Sequence, residues 1–263
     1  MQQADHTFII PAFGNSDFLE ACILSLKQQT IPGKILITTS TPSVFLTEIA
    51  EKYQLEIIVN ESKTGLASDW SFAYKACTSK YLTLAHQDDL YNTNYAETFI
   101  KEAEKHGNID CLILLSDYNE LKINSLRNRS VVIFIKKILL LPFLFNNSLR
   151  KRISKNLLLV FGNPVACPSV MFNVENIGSF EFNSEYLYNV DWEAWIRLAK
   201  RKGSFVYIKK KMMGHRLHRE SQTSIQIEST IRQKEEEKIL KSIWGKWVGG
   251  ILFFFYGFGG KFN

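Results

Sequence analysis

The apolar run Tyr81-Leu82-Thr83-Leu84 leads into Ala85-His86-Gln87-Asp88-Asp89. Adjacent aspartates at the end of a buried strand are electrostatically costly unless a cation sits between or beside them. A divalent metal carrying a diphosphate is a natural counter-charge, because hard oxygen ligands suit Mg²⁺ or Mn²⁺. The alternative is a turn with two solvated aspartates. A second acidic patch, Val190-Asp191-Trp192-Glu193-Ala194-Trp195-Ile196-Arg197, is followed by His215-Arg216-Leu217-His218. Asp191 suits a general base, but at a helix start it also suits an N-cap. Glu193 likewise suits the first turn of a helix, and Arg197 a pairing with a carboxylate on the helix face.

These groups need elements to hold them together. Apolar runs at Phe8–Ile10, Lys34–Thr38, Glu56–Val59, Tyr81–Leu84 and Cys111–Leu115 read as strands. Between them Phe18–Gln29, Val44–Tyr53, Ala67–Ala76 and Asn94–His106 read as helices, the last with Asn92 or Thr93 as its cap. Such alternation predicts a doubly wound α/β unit, in which ligands bind beyond the carboxyl ends of the strands. Pro11-Ala12-Phe13, Thr39-Ser40 and Asp88-Asp89 all fall at such ends. No Gly-x-Gly-x-x-Gly or P-loop pattern is present.

The 263 residues suffice for one large domain or two modest ones, and 46% hydrophobic with 22% charged residues argues against disorder. Four scattered cysteines without Cys-x-x-Cys read as reduced thiols, which predicts a cytoplasmic protein. Met1 to His6 is polar and Phe8 to Phe13 is short, so no signal peptide is expected.

The net charge of +6 is localised. Nine of the 32 Lys and Arg lie between Lys122 and Lys155, where no acid occurs, and the remainder of the chain carries more acids than bases. Beyond Asp117 the strand–helix pattern loosens until Gly162. Within that stretch Val131 to Phe145 would span about 22 Å as a helix, short of the ~30 Å hydrocarbon core. Lysines beside apolar bulk predict a segment lying in the interface of an anionic membrane; a buried helix is the alternative. Thr230 to Ile243 reads as a charged helix. Trp244 to Phe258 then reads either as an interfacial anchor or as a segment docked on the core.

The order of these motifs resembles the family 2 inverting glycosyltransferases of GT-A fold, over roughly Thr7 to Ser224. The resemblance implies an α/β GT-A type fold, a doubly wound Rossmann-like mixed sheet flanked by helices. It implies a glycosyltransferase domain over 1–225, with a basic apolar insertion at about 122–160 and a C-terminal segment over 226–263. By the same resemblance Pro11, Ala12 and Phe13 lie against the base and ribose of a nucleotide sugar. Ser40 stands where relatives carry an acid that reads uracil, and Asn60, Gly65 and Asp69 border the base and diphosphate. Asp88 touches the ribose or shares the ion, Asp89 ligates Mg²⁺ or Mn²⁺, and His218 closes over the diphosphate. Asp191 is the implied base, with Glu193 the substitute, and Pro168 and Ser169 are candidates for the sugar pocket. His86 replaces the first acid of Asp-x-Asp-Asp, and Val190 replaces the usual first Glu of the catalytic loop.

The expected function is therefore inverting transfer from a UDP-sugar to a saccharide or lipid-linked saccharide acceptor in surface polysaccharide synthesis. The expected location is peripheral, at the inner face of the cell membrane. A metal-dependent phosphohydrolase would need a denser His/Asp array. A nucleic-acid binder would interleave its basic residues with stacking aromatics rather than aliphatic runs, so no nucleic-acid partner is expected.

Overall fold

A computed structural model describes residues 5–62, 65–106, 110–122, 136–217 and 230–261. The first-half strands are mostly apolar because both faces of the sheet carry a packed core. Side chains alternate between two cores: Ile9, Leu36, Leu82, Leu84 and Ile113 face one, while Phe8, Ile10, Ile37, Tyr81 and Leu114 face the other. Strands β1 (His6–Ala12), β2 (Lys34–Thr39), β3 (Glu56–Val59) and β4 (Tyr81–Leu84) pair in parallel. Helices α1 (Leu19–Lys27), α2 (Val44–Tyr53) and α3 (Leu66–Ala76) connect them, and β5 (Leu90–Tyr91) and α4 (Tyr95–Lys105) follow. These limits agree with the sequence expectation to within a few residues. One detail differs: Asn94, not Asn92 or Thr93, precedes α4, and the Asn92 amide instead donates to Lys211 O at 2.8 Å.

β6 (Cys111–Lys122), β7 (Ser148–Leu149), α5 (Arg152–Leu159), β8 (Val170–Asn173), α6 (Val174–Ile177), α7 (Val190–Ala199), β9 (Ser204–Leu217) and α8 (Thr230–Lys261) complete the described chain. The sheet order is β3-β2-β1-β4-β8-β6-β9-β5, with β7 also on β9. β8 runs antiparallel to its neighbours β4 and β6, so the sheet is mixed.

The pattern does not end at Asp117. A bulge around Ser116–Tyr118 lets β6 continue to Lys122 in parallel register with β9, pairing Glu120 with His215 and Leu121 with Arg216. β5 pairs antiparallel with the same strand, Leu90 opposite Gly214. This register brings His215 to the end of the Asp88-Asp89 loop.

Residues 123–135 of the basic segment lie outside the described residues. The rest divides its side chains. Leu139, Phe143, Leu149 and Leu158 are buried, whereas Ile138, Leu141, Leu144 and Phe145 are exposed. Nor do all of its cations face solvent. Lys155 is wholly enclosed and donates to Arg201 O (2.7 Å) and Gly203 O (2.8 Å), and Arg150 pairs with Asp110. α8 is two helical segments meeting at Gly245, whose φ of 79° interrupts the helix and favours glycine. Ile239 and Leu240 enter the same core as α3 and α7. Among the described residues no helix is long and apolar enough to cross a membrane.

Candidate active site

The carboxyl ends of β1, β2 and β4 meet as a tied rim. Gln87 pairs with the backbone of Phe13, accepting from its N–H (3.1 Å) and donating to its carbonyl (3.0 Å). Thr41 Oγ1 accepts from Gly14 N at 2.8 Å, where a φ of 60° favours glycine. Pro11 and Ala12 belong to β1 itself, and the Phe13 side chain stands half out in solvent.

Beside the β2 end, the Asp69 carboxylate accepts from Ser40 Oγ (3.0 Å) and Asn60 Nδ2 (3.0 Å). Thus β2 lacks a terminal acid, but the first turn of α3 delivers one to the same place. Gly65, at the start of α3 with φ 140°, occupies a conformation that side-chain-bearing residues rarely adopt.

Asp89 is fully buried. Its carboxylate accepts from His215 Nδ1 (3.0 Å) and from Arg216 N (2.8 Å), which fastens the far end of β9 to the β4–β5 loop. Burial opposes a charge on His215, but the Asp89 charge and hydrogen bond prevail and its pKa is raised. Arg216 reaches back to donate to Asp88 O at 2.9 Å, its guanidinium lying over the Phe18 ring. Asp88 is half-buried beside them. His86, Asp88 and Asp89 each bring one potential ligand atom within 4.8 Å of the others. The His86 Nε2 is enclosed without a hydrogen-bond partner among the described residues. Desolvation holds this imidazole neutral, with its pKa lowered to about 4.

Asp191 is the second residue of α7, not its N-cap; that position is Asn189. Its carboxylate accepts from Trp192 N (2.7 Å) and Asn163 Nδ2 (2.9 Å). Desolvation raises its pKa to about 6, only partly offset by these two bonds and by the charges of Arg232 and Lys136. Glu193 points along the helix to Arg197 (2.7 Å), so the expected salt bridge is present.

The acidic pair and Asp191 share one neighbourhood. Buried Cys167 feels the charge of both Asp191 and Asp89, and Lys136 acts electrostatically on both Asp191 and His215. Pro168 and Ser169 follow Cys167. The Pro168 carbonyl accepts from Tyr91 OH (3.0 Å), and Ser169 Oγ is spent on Ala166 O (2.7 Å). His218 lies outside the described residues.

Several supporting residues carried no role in the sequence expectation: His215, named there beside His218 without one, Asn163, Lys136 and above all Glu235. The Glu235 carboxylate, on α8, accepts from three successive backbone N–H groups, Leu187 (2.6 Å), Tyr188 (3.1 Å) and Asn189 (2.9 Å). It therefore fixes the loop that delivers Asp191. An unsatisfied buried donor costs about 1–3 kcal/mol. Glu235→Ala is accordingly expected to lower stability by roughly 3 kcal/mol, with Glu235→Gln milder because its amide oxygen still accepts. Urea unfolding of both variants checks this.

Comparison with known proteins agrees with this fold. The family model "Glycosyl transferase family 2" matches residues 7–172, more than half of the chain. Comparison with curated protein sequences gives no significant match. Among solved structures, S. aureus TarS 1-349 in complex with UDP-GlcNAc superposes with a TM-score of 0.60 at 13% identity, over 90% of this chain and 65% of that one. Mannosyltransferase PcManGT from Pyrobaculum calidifontis, in complex with GDP-Man and Mn2+, gives a TM-score of 0.63 at 12% identity, over 92% and 65% respectively. This chain thus spans just under two thirds of either relative. A mixed sheet flanked by helices, carrying its acidic groups at the strand ends, is the GT-A arrangement, and the chain belongs to glycosyl transferase family 2.

Proposed function

We propose that the protein is an inverting glycosyltransferase that moves a sugar from a nucleoside diphosphate donor, UDP-linked in the first instance, to a hydroxyl of a lipid-linked saccharide. The reading rests chiefly on the convergence of the His86–Asp88–Asp89 group with Asp191 in one neighbourhood beside the strand ends. TarS was solved with UDP-GlcNAc and PcManGT with GDP-Man and Mn2+, which supports a nucleotide-sugar donor and a divalent ion.

The residues present fit such an ion. Two carboxylates supply hard oxygens, and the neutral imidazole of His86 beside them suits Mn²⁺ better than Mg²⁺. When bound, a divalent cation supplies the positive charge that offsets the leaving diphosphate. Asp88, half-buried, is the more accessible of the two carboxylates. Asp89 anchors β9 through two donors and keeps lone pairs to share. His218 is proposed to close over the diphosphate. Asp69, held by Ser40 and Asn60, is proposed to read the base, with Pro11, Ala12, Phe13 and Gly65 shaping the nucleotide pocket.

Asp191 then takes the proton from the acceptor hydroxyl. That oxygen bonds to the anomeric carbon as the bond from this carbon to the phosphate oxygen breaks, and the nucleoside diphosphate departs on the opposite face. A carboxyl group with a pKa of about 6 is ionised at neutral pH yet basic enough to share the proton. The proposed setting is surface polysaccharide synthesis at the cytoplasmic face of the membrane, as the charge of the 122–155 segment suggests.

A panel of nucleotide sugars tests the donor assignment by protection against unfolding. A donor at a hundred times its Kd adds about 2.7 kcal/mol. Protection by none of them in the presence of Mn²⁺ would overturn the reading.

A further inference from the structure

Two of the segments that carry exposed apolar side chains touch one another. On α5, Ile153 and Leu157 stand one turn apart and both face solvent, at 74% and 49% exposure. Phe161 follows, and its ring lies 5.3 Å from that of Trp244, whose Nε1 donates to Val160 O at 2.9 Å. Past Gly245 the chain doubles back. Gly249 sits so close to Leu240 and Lys241 that a Cβ there would come within 2.6 Å of the Lys241 Cα. Leu252 and Phe253 thereby turn to the core, and Trp247 (85% exposed), Val248 and Ile251 are left outside. Single exposed apolar residues are ordinary, but a joined face from two distant segments marks an interaction site.

From this geometry we infer that the face formed by α5 and the hairpin after Gly245 docks on an anionic lipid bilayer. The inference rests on the reading that the acceptor is lipid-linked, and it names the surface that would bring the protein to it. Charge selects the partner. Residues 136–161 hold six Lys or Arg and no Asp or Glu; Lys137, Lys151 and Arg152 are exposed, as is Lys246 in the hairpin. A second copy of the chain would set like charges against each other, whereas acidic headgroups complement them. Trp, Phe and Ile rimmed by lysine suit the boundary between headgroups and acyl chains. Placement agrees as well. The segment after α5 carries Asn163, which holds Asp191, and α8 carries Glu235, which holds the loop before it. The face therefore belongs to the elements that position the base, not to those around the nucleotide.

Flotation of the full chain with phosphatidylcholine vesicles, with and without phosphatidylglycerol, tests the surface. The wild type is expected to float with the anionic vesicles, less so in high salt, with the emission of exposed Trp247 shifting to the blue. Trp247→Glu/Ile251→Glu should lower the bound fraction by about tenfold or more. Ile153→Glu/Leu157→Glu should do the same, and keeps the test open if the first pair fails to fold. Both pairs should retain metal-dependent UDP binding. A wild type that stays at the bottom with anionic vesicles overturns the inference, as do folded variants that float like wild type. A wild-type dimer dissolved by Trp247→Glu would assign the face to self-association instead and would equally overturn it. If the wild type floats but binds no nucleotide, the donor assignment fails and the docking surface stands.

Discussion

Asp191→Asn is expected to lower the rate of sugar transfer by about 10²–10⁴-fold, the usual loss for a general base, while leaving nucleotide binding nearly intact. In the wild type the rate should climb with pH through about 6 and level off above it, because the raised carboxyl must be ionised to accept a proton. The variant should lack that rise. Stability should move the other way. The fold holds the Asp191 proton more tightly than the unfolded chain does, so this stabilisation is complete below the ordinary carboxyl value of 3.8 and is lost as pH rises through about 6. Asp191→Asn should therefore match or exceed wild-type stability at pH 8, by up to the order of 1–3 kcal/mol, and lose that advantage near pH 4. Urea unfolding at both pH values reads this directly. Full activity in the variant would move the base to Glu193, which would first have to leave Arg197.

Asp89→Ala is expected to damage both binding and folding, whereas Asp88→Ala should damage chiefly binding. Asp89 is fully buried and is the acceptor for His215 Nδ1 and Arg216 N. Its removal leaves both donors without that partner and frees the end of β9 from the β4–β5 loop. Breaking a buried charge pair in this way costs roughly 3–5 kcal/mol. Asp88 is half-buried, so its truncation should cost less stability than that of Asp89 while metal-dependent nucleotide affinity falls. Equal affinity in all three proteins would remove both residues from the metal site.

Much of this arrangement is legible before any coordinates. β1 to β4 announce themselves as short apolar, β-branched-rich runs, and Pro11, Ser40 and Asp88-Asp89 lie at or near the ends of β1, β2 and β4. Asp191 is legible through its resemblance to a known catalytic loop. What stays hidden depends on register between distant segments. The outer half of β6 is polar, with Asn119 and Glu120, and it is strand only because β9 pairs with it beyond a bulge. The same pairing joins His215 to Asp89, which nothing in the local sequence signals. Glu235 sits in a run of glutamates and lysines that reads as a solvated helix face. Its burial against residues 187–189 emerges only when α8 packs on the core. Lys155 shows the converse error. A basic stretch reads as surface, yet one of its lysines is enclosed against the end of α7.

Metal-dependent nucleotide binding can be read by calorimetric titration of UDP into the protein, in Mn²⁺ and again after chelation. UDP should bind in the presence of the metal, lose most of that affinity on chelation, and lose a comparable share in Asp88→Ala with Mn²⁺ present. No binding with the metal, or equal binding without it, would rule out a metal-dependent nucleotide-sugar site at His86, Asp88 and Asp89.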